Sequence, residues 1–582
     1  MLVPIQGKVK RRKITTYDLE WRPDNLELRL VGVYDERGYR CYYSIKDFLN
    51  HEMTYSNRGR IFYAHAGGSY DIQFVLKELR KASNDRFEIS IGFSGSRAFM
   101  VQVRQQKHKW TFADSFLLLP RKLKDIGKWI GSAKGELTDF YAPMAELINY
   151  NAQDCKILYQ AIDSLQDELI SLGGELKMTL ASCAMALFRR KHLNREIRTN
   201  AIHNIHMQDA YFASRVEVFE RDCKEALYYD INSSFPHSMA KPQPGNYLGP
   251  AKKLPDALDA LFIAECEIEI KDVYLPPTPY RSIDKRILFP TGKWEAMLDV
   301  TDVRLLLENG HKIHKVNSVH MYEPFTDLSA YVSVLYELKR TSEGFKREVY
   351  KLLLNGLYGK FGERPEKEKM LLNPFTVDCP HDGKHVNDEC MAMIYPGVWK
   401  VDEVIDIPHA HIPIGAHITA LSRELLFNHL KSCSKVFYCD TDSVLCSPDN
   451  HFPESDSLGE LKLEYTIASG KFISPKMYDF QTTEGKDVTK AKGFSGITHD
   501  DFVRLTKKGE TREYFIQRRM ARVKECFAKG FSGPTEISVK KRIIGANPKR
   551  HTYDDGSTRP WTIEELYTTY ESKYRNLLAD NA

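Results

Sequence analysis

The stretch Phe437-Tyr438-Cys439-Asp440-Thr441-Asp442-Ser443-Val444 sets two carboxylates one residue apart within a short run of aromatic, apolar and β-branched residues. It reads as a tight hairpin that pushes both acids to one tip. Clustered carboxylates on strand ends suit a pair of divalent ions, and a two-metal site about 3.5–4 Å across serves in-line phosphoryl transfer. A solvated Asp-Thr-Asp turn fits the tripeptide equally well, so the rest of the chain has to decide.

With 582 residues the chain is too long for one core, and about three or four compact units are expected. Hydrophobic content of 42% and charged content of 28% are ordinary for a soluble globular protein. No stretch reaches the ~20 apolar residues of a membrane span, and the N-terminus has no apolar signal core. The expectation is a soluble intracellular monomer without a membrane partner, and the 11 cysteines, in no evident framework, fit free thiols. The net charge of +5 is unevenly placed: Lys490 to Arg559 holds 17 Lys and Arg against 8 Asp and Glu. That window, with Lys490 and Lys492 at its start, is a candidate polyanion surface. The run Lys8-Val9-Lys10-Arg11-Arg12-Lys13 reads as a flexible arm, a targeting signal or nothing.

Ile14 to Trp21 reads as a strand whose period of two puts Asp18 and Glu20 on one face. Phe62 to Asp71 ends a strand, passes a glycine turn and presents Asp71 at the start of a helical pattern. Tyr150 and Asp154, four apart in a helical stretch, share a face. Four acids from three segments can thus converge on two metals, with Tyr150 placed to orient a water.

Leu227 to Pro236 reads as a buried strand that delivers Asp230 at its end and is then stopped by small polar residues and Pro236. Asp230 is a partner for Asp442. In the helical pattern from Gly344 to Phe361, Arg347, Lys351, Asn355 and Tyr358 form one stripe. Two cations, an amide and an aromatic suit a triphosphate with its sugar and base. Gly356 and Gly359 each cost a helix about 1 kcal/mol relative to Ala, and they read as room for a flat base pair.

In this order the segments resemble a known family. Asp18 with Glu20, Asp71, and Tyr150 with Asp154 are similar to the three motifs of DnaQ-like, RNase H-like 3′-5′ proofreading exonucleases. Asp230 to Pro236, Lys351 to Gly359 and Tyr438 to Ser443 resemble motifs A, B and C of family B DNA polymerases. The resemblance implies an α/β and α+β multidomain chain, an RNase H-like exonuclease domain followed by a right hand of palm, fingers and thumb. Shorter signatures resemble the protein-primed branch of that family. It implies an exonuclease domain at 1–185 and a polymerase domain at 186–582. The latter divides into palm 186–244 and 410–490, a priming insert 245–336 that docks a terminal protein, fingers 337–362, a strand-displacement insert 363–409, and thumb 491–582.

The resemblance further implies two Mg²⁺ ions per site, with Mn²⁺ as a substitute. Asp230 and Asp442 hold them in the polymerase and Asp18, Glu20, Asp71 and Asp154 in the exonuclease, with Asp440 as a supporting acid and Lys134 as a catalytic lysine. Lys339, Arg347 and Lys351 would meet the triphosphate, while Phe235, Asn355 and Tyr358 meet sugar and base. Ser115 would touch single-stranded DNA, and Tyr211, Thr419, Arg423, Lys476 and Tyr478 the primer-template. Partners would be DNA, dNTPs and a terminal protein primer; oligonucleotide priming and a silent DNA-binding subunit are the alternatives.

Some positions depart from the family pattern. Ala66 stands where Asn is usual, Phe235 where Tyr is usual, and Ala213-Ser214 replace a Gly pair. Outside the resemblance, Cys379, His381, His385 and Cys390 offer four soft ligands within twelve residues, a zinc staple or a polar hairpin.

Overall fold

Alternating side chains make Ile14–Trp21 a strand, and its burial on both faces puts it inside a ten-stranded sheet. The computed structural model describes the chain except for residues 83–86, 138, 140, 373–390, 406, 507–513, 529, 531–532, 544–546 and 570–582. From one edge the strands are Met391–Tyr395, Val398–Val404, Glu366–Leu372, Glu88–Ser94, Arg97–Gln105, His108–Asp114, Ile61–Ala64, Ile14–Trp21, Leu28–Asp35 and Gly38–Tyr42. The three strands at Ile14, Ile61 and His108 run parallel and their outer neighbours antiparallel. The long helix Met144–Ser171 covers one face. That is the mixed sheet expected of an RNase H-like domain.

Three of these strands come from 366–404, within the expected strand-displacement insert at 363–409. Glu366–Leu372 pairs antiparallel with Glu88–Ser94, Met370 opposite Ile91. The pairing covers an otherwise open sheet edge, and Met370 and Leu372 are buried in the same core as Ile89 and Ile91. The C-terminal region also returns to this domain, with Ala521, Val523, Cys526 and Phe527 in the same core.

A second sheet has seven strands, in the order Asp487–Ala491, Met477–Thr482, Leu461–Ser474, Asp222–Ile231, Ser443–Cys446, Val436–Asp440 and Val216–Val218. A third, of four strands, runs Gln243–Ala251, Lys312–Phe325, Leu261–Ile270 and Gly292–Asp299, and it fills most of the segment expected as a priming insert. The helical pair Asp327–Thr341 and Gly344–Gly356 packs directly on the N-terminal domain, where Tyr331, Leu335, Leu353 and Leu354 share a core with Leu165, Leu169, Leu187 and Phe188. The expected boundaries at 185/186 and 336/337 therefore fall inside helices, Leu180–Lys191 and Asp327–Thr341. Among the described residues no helix is long and apolar enough to cross a membrane.

One polar contact fixes the helical pair to the domain beneath it. Glu168, buried on the Met144–Ser171 helix, accepts from the Tyr350 hydroxyl and pairs with Lys346 at 3.1 Å. Tyr350→Phe leaves that carboxylate short of a donor and should destabilise the chain by about 1–3 kcal/mol. Lys346→Ala, at an exposed site, should cost under about 1 kcal/mol. Denaturant unfolding midpoints of the two variants check the order.

Candidate active site

Two carboxylates 212 positions apart meet because their strands pair: Ser443 lies opposite Asp230 in the antiparallel register of Ser443–Cys446 with Asp222–Ile231. The Ile231 amide donates to the Asp442 carbonyl at 2.6 Å and Tyr228 bonds Ser443 at 2.9 Å, so the register is pinned on both sides. The hairpin turns at Thr441, whose φ of 65° is left-handed. Asp442 points into a cleft of about 870 Å³ that Asp230 also lines. Asp440 turns aside, accepting from Lys476 at 2.7 Å, from Tyr438 at 3.2 Å and from Thr441 at 3.0 Å.

Burial and the neighbouring acid charges raise Asp230 to about 7, and burial with Asp440 raises Asp442 to about 6. The rest of the lining is mainly cationic, with Glu348 and Asp456 as its acids. Lys339, Arg347 and Lys351 all line the cleft, and among the described residues Arg347 and Lys351 have no ion-pair partner. Asn355 and Tyr358 complete the stripe that the sequence spacing anticipates, although the helix breaks at Leu357 between them.

Two expectations need correction, at Pro236 and at Gly356. After Asp230 the chain passes Ser233 at φ 55° and enters a short helix, Ser234–Met239, so Pro236 lies in a first helical turn rather than ending a strand. Phe235 and Tyr358 stack on each other, centroids 4.1 Å apart. Gly356 faces the backbone of Ala181 in the N-terminal domain, not the cleft, whereas nothing crowds Gly359.

The second cluster sits at the ends of the parallel strands. Asp18 and Glu20 share a face, bridged by the Asn151 amide, which donates to each at 3.2 Å. Asp71 opens the helix Asp71–Ala82 and accepts from the Leu19 amide. Asp154 pairs with Lys134, which also lies over the Tyr150 ring at 5.0 Å. Burial pushes all four acids upward, Glu20 and Asp71 to about 7, and mutual repulsion adds to it at Asp18, Glu20 and Asp71.

Asn151 was not evident as a site residue in the sequence. Its signal is Gly32, opposite Asp18 in the next strand, where a Cβ would lie 1.6 Å from the Asn151 amide oxygen. Ala66 has a φ of 57°, which Asn tolerates better than Ala.

Among the described residues, no three carboxylate, imidazole or thiol groups are drawn close enough to enclose an ion as they stand. The donor chemistry nonetheless fits hard divalent cations: each cluster is all oxygen, its acids are lifted by burial, and Asp154 keeps a buried oxygen with no hydrogen-bond partner. The zinc candidates Cys379, His381, His385 and Cys390 lie outside the described residues.

The expected DNA contacts divide. Lys490 and Lys492 are exposed, and Lys476 is half exposed beside Asp440. Ser115 is fully buried, bonded to His65 and Ala64. Thr419 is buried, and Arg423 is spent on Asp302 at 2.7 Å and on the Phe212 carbonyl. The Tyr478 ring is core, packed on Tyr438, Phe472 and Phe480. Tyr211 packs over Gly362, where its ring occupies the space a Cβ would need. Ser115, Thr419, Arg423 and Tyr478 are thus buried, while Tyr211 is half-buried.

The family profile described as DNA polymerase type B, organellar and viral, matches residues 51–138 and 141–378. A probable DNA polymerase of Podospora anserina is 23% identical over an alignment covering 76% of this chain and 48% of its own. The DNA-directed DNA polymerase of Enterobacteria phage PRD1 is 24% identical over 84% of this chain and 86% of its own. The chain spans about half the length of the fungal relatives it matches. Phi29 DNA polymerase, solved with primer-template DNA and incoming nucleotides, is 19% identical with a TM-score of 0.72, covering 92% of this chain and 100% of that one. The fold is thus the expected one, an RNase H-like domain followed by a right hand.

The raised acids give a signed pH dependence. Ordinary unfolded carboxylates ionise near pH ~4, so Asp230, Asp442, Glu20 and Asp71 favour folding at low pH and lose that contribution as pH rises toward about 7. A divalent cation offsets the loss only where the acids are ionised. The rise in unfolding temperature on adding Mg²⁺ should be larger at pH 8 than at pH 5.5; equal rises would show that these acids do not hold the ion.

Proposed function

The chain belongs to the type B DNA polymerases of organelles and viruses, and on that premise we propose that it is a DNA-directed DNA polymerase with a 3′-5′ proofreading exonuclease. The observation that carries the reading is the cleft in which Asp230 and Asp442 face Lys339, Arg347 and Lys351. Acids and unpaired cations around one cleft are the halves of a phosphoryl-transfer site. Template strand, primer and incoming nucleotide are the ligands, classes that solved phi29 DNA polymerase structures contain.

Asp230 and Asp442 would hold Mg²⁺, with Mn²⁺ as substitute, and Asp440 would tie the hairpin to Lys476. Bound ions supply charge compensation at the transferring phosphate and lower the pKa of the attacking primer hydroxyl. Lys339, Arg347 and Lys351 neutralise the triphosphate, and Asn355 and the Phe235–Tyr358 stack flank sugar and base. Phe235 keeps an aromatic wall against a ribose 2′-hydroxyl. In the N-terminal domain Asp18, Glu20, Asp71 and Asp154 would hold the second set of ions. There Tyr150 orients the attacking water and Lys134 steadies Asp154. The basic C-terminal region grips backbone phosphates without reading sequence.

The finer part of the reading is protein priming with strand displacement on a linear phage, plasmid or mobile-element genome. The four-stranded sheet between Asp230 and the cationic helix is the surface assigned to a terminal protein, and the strands of 366–404 to strand separation. The thumb, palm and fingers limits follow the sequence expectation, moved to the helix ends named above.

Asp442→Ala should remove nucleotide addition while leaving DNA binding intact, and Asp18→Ala should remove 3′ excision while leaving synthesis intact. Primer extension and excision of a mismatched end, run on both variants, give a crossed pattern; any other pattern refutes the assignment of acids to activities. For priming, incubation with the product of a neighbouring reading frame and labelled dNTP should yield nucleotide covalently bound to a Ser, Thr or Tyr hydroxyl. Failure to form that adduct, with primer extension intact, leaves an oligonucleotide-primed polymerase.

A further inference from the structure

The basic run at residues 8–13 is not a loose arm. Arg11 pairs with Asp163 and Asp167 on the long helix. The Arg12 amide donates to the buried Gln166 side chain at 2.7 Å, that side chain donates back to the Arg12 carbonyl at 3.2 Å, and the Arg12 Nε donates to the Leu176 carbonyl. The segment is thereby fixed to the rim of a cavity of about 530 Å³. Arg12, Arg58, Lys107 and Lys109 line this cavity, and no acid does.

These four cations come from three separate places: the lead-in to Ile14–Trp21, the turn before Ile61–Ala64, and the hairpin of Arg97–Gln105 with His108–Asp114, where Lys107 is in the turn and Lys109 in the second strand. Among the described residues none has an ion-pair partner, although other surface cations nearby do, such as Arg104 with Glu88. Holding like charges around one concavity is unfavourable unless an anion answers them. Burial and Arg104 already push Lys109 below its usual value.

The cavity lies at the far end of the sheet from Asp18, Glu20 and Asp71. Six residues of strand separate Ile14 from Glu20, which is about 20 Å. It therefore lies away from the N-terminal acids, and it shares no lining residue with the cleft of Asp230 and Asp442. Beside the cavity the guanidinium of Arg58, one of its lining residues, lies 3.7 Å from the centroid of the exposed Tyr55 ring, a contact of cation on aromatic. Phosphate-binding cations beside a stacking surface are the equipment for single-stranded nucleic acid, whose bases are free to stack.

We propose that this cavity is a second binding site for single-stranded nucleic acid, in which Arg12, Lys107 and Lys109 take backbone phosphates and the Arg58–Tyr55 stack takes a base. The site is independent of both clefts. A strand held there is kept from re-pairing while the chain acts elsewhere.

The test uses the full chain in EDTA with a fluorescein-labelled 25-nucleotide oligo(dT), its affinity measured by anisotropy across a KCl series. The variant Arg12→Gln/Lys107→Gln/Lys109→Gln should bind more weakly, with a plot of log affinity against log salt shallower by roughly 2, about 0.7 for each lost phosphate. Lys107→Arg/Lys109→Arg should keep the parent slope. A 4-thiothymidine oligonucleotide should cross-link within residues 55–61 and 100–111 of the parent chain. Primer extension on a duplex with a two-nucleotide overhang should be unchanged in both variants, which separates this site from the polymerase reading. An unchanged slope in the triple variant, or cross-links confined to other segments, overturns the proposal. So does displacement of the oligonucleotide by inorganic tripolyphosphate at equal phosphate concentration, which would make the cavity a small-anion site.

Discussion

The pairing of Ser443 with Asp230 is the constraint on which the cleft between Asp230 and Asp442 depends. Side chains alternate along a strand, so a slip of one residue would turn Asp230 to the opposite face of the sheet and leave Asp442 without its partner. The register is held by more than its ladder: Tyr228 bonds Ser443, the Asp442 carbonyl accepts from Ile231, and Lys476 anchors Asp440. Behind the hairpin, the Thr441 amide donates to the carbonyl of Arg215 at 2.8 Å. Arg215 is itself buried against Glu217, with Arg550 close by. Taking three charged groups out of water is expensive unless their geometry is maintained. The cluster thus ties the C-terminal segment to the strand next to the acids.

The two carboxylate clusters follow one electrostatic logic on different scaffolds. In each, strand ends bring acids together faster than the protein supplies countercharge, and burial raises their proton affinity. The N-terminal cluster has partial relief in Lys134 and Asn151, whereas Asp230 and Asp442 have no ion-pair partner among the described residues and share their cleft with Lys339, Arg347 and Lys351.

What the sequence made legible was local. Strand alternation at Ile14–Trp21, the four-residue spacings at Tyr150 and Arg347, and the Asp-Thr-Asp tip each carry their geometry in a few adjacent residues, and the structure has each as read. Contacts decided by distant partners were not legible. Arg423 looks like a free surface cation until Asp302 is seen beside it, and Ser115 and Tyr478 look polar enough to meet DNA until their burial is known. Asn151 needed Gly32, 119 positions earlier, to give it meaning. The break at Leu357 and the turn of Gly356 toward Ala181 come from packing between domains, which a helical period does not encode.

The strand Glu366–Leu372, laid against Glu88–Ser94, bears on how such a chain can be recombined. Two regions that look modular along the sequence share one hydrogen-bonded layer, so neither can be exchanged alone. A chimera that imported the later region from a relative would have to bring a strand of matching length, with apolar residues in phase with Ile89 and Ile91. Otherwise it would leave a sticky edge and an open core. Inheritance in this chain is therefore of the pair, and sequence drift on one side of the seam is limited by what the other side will accept.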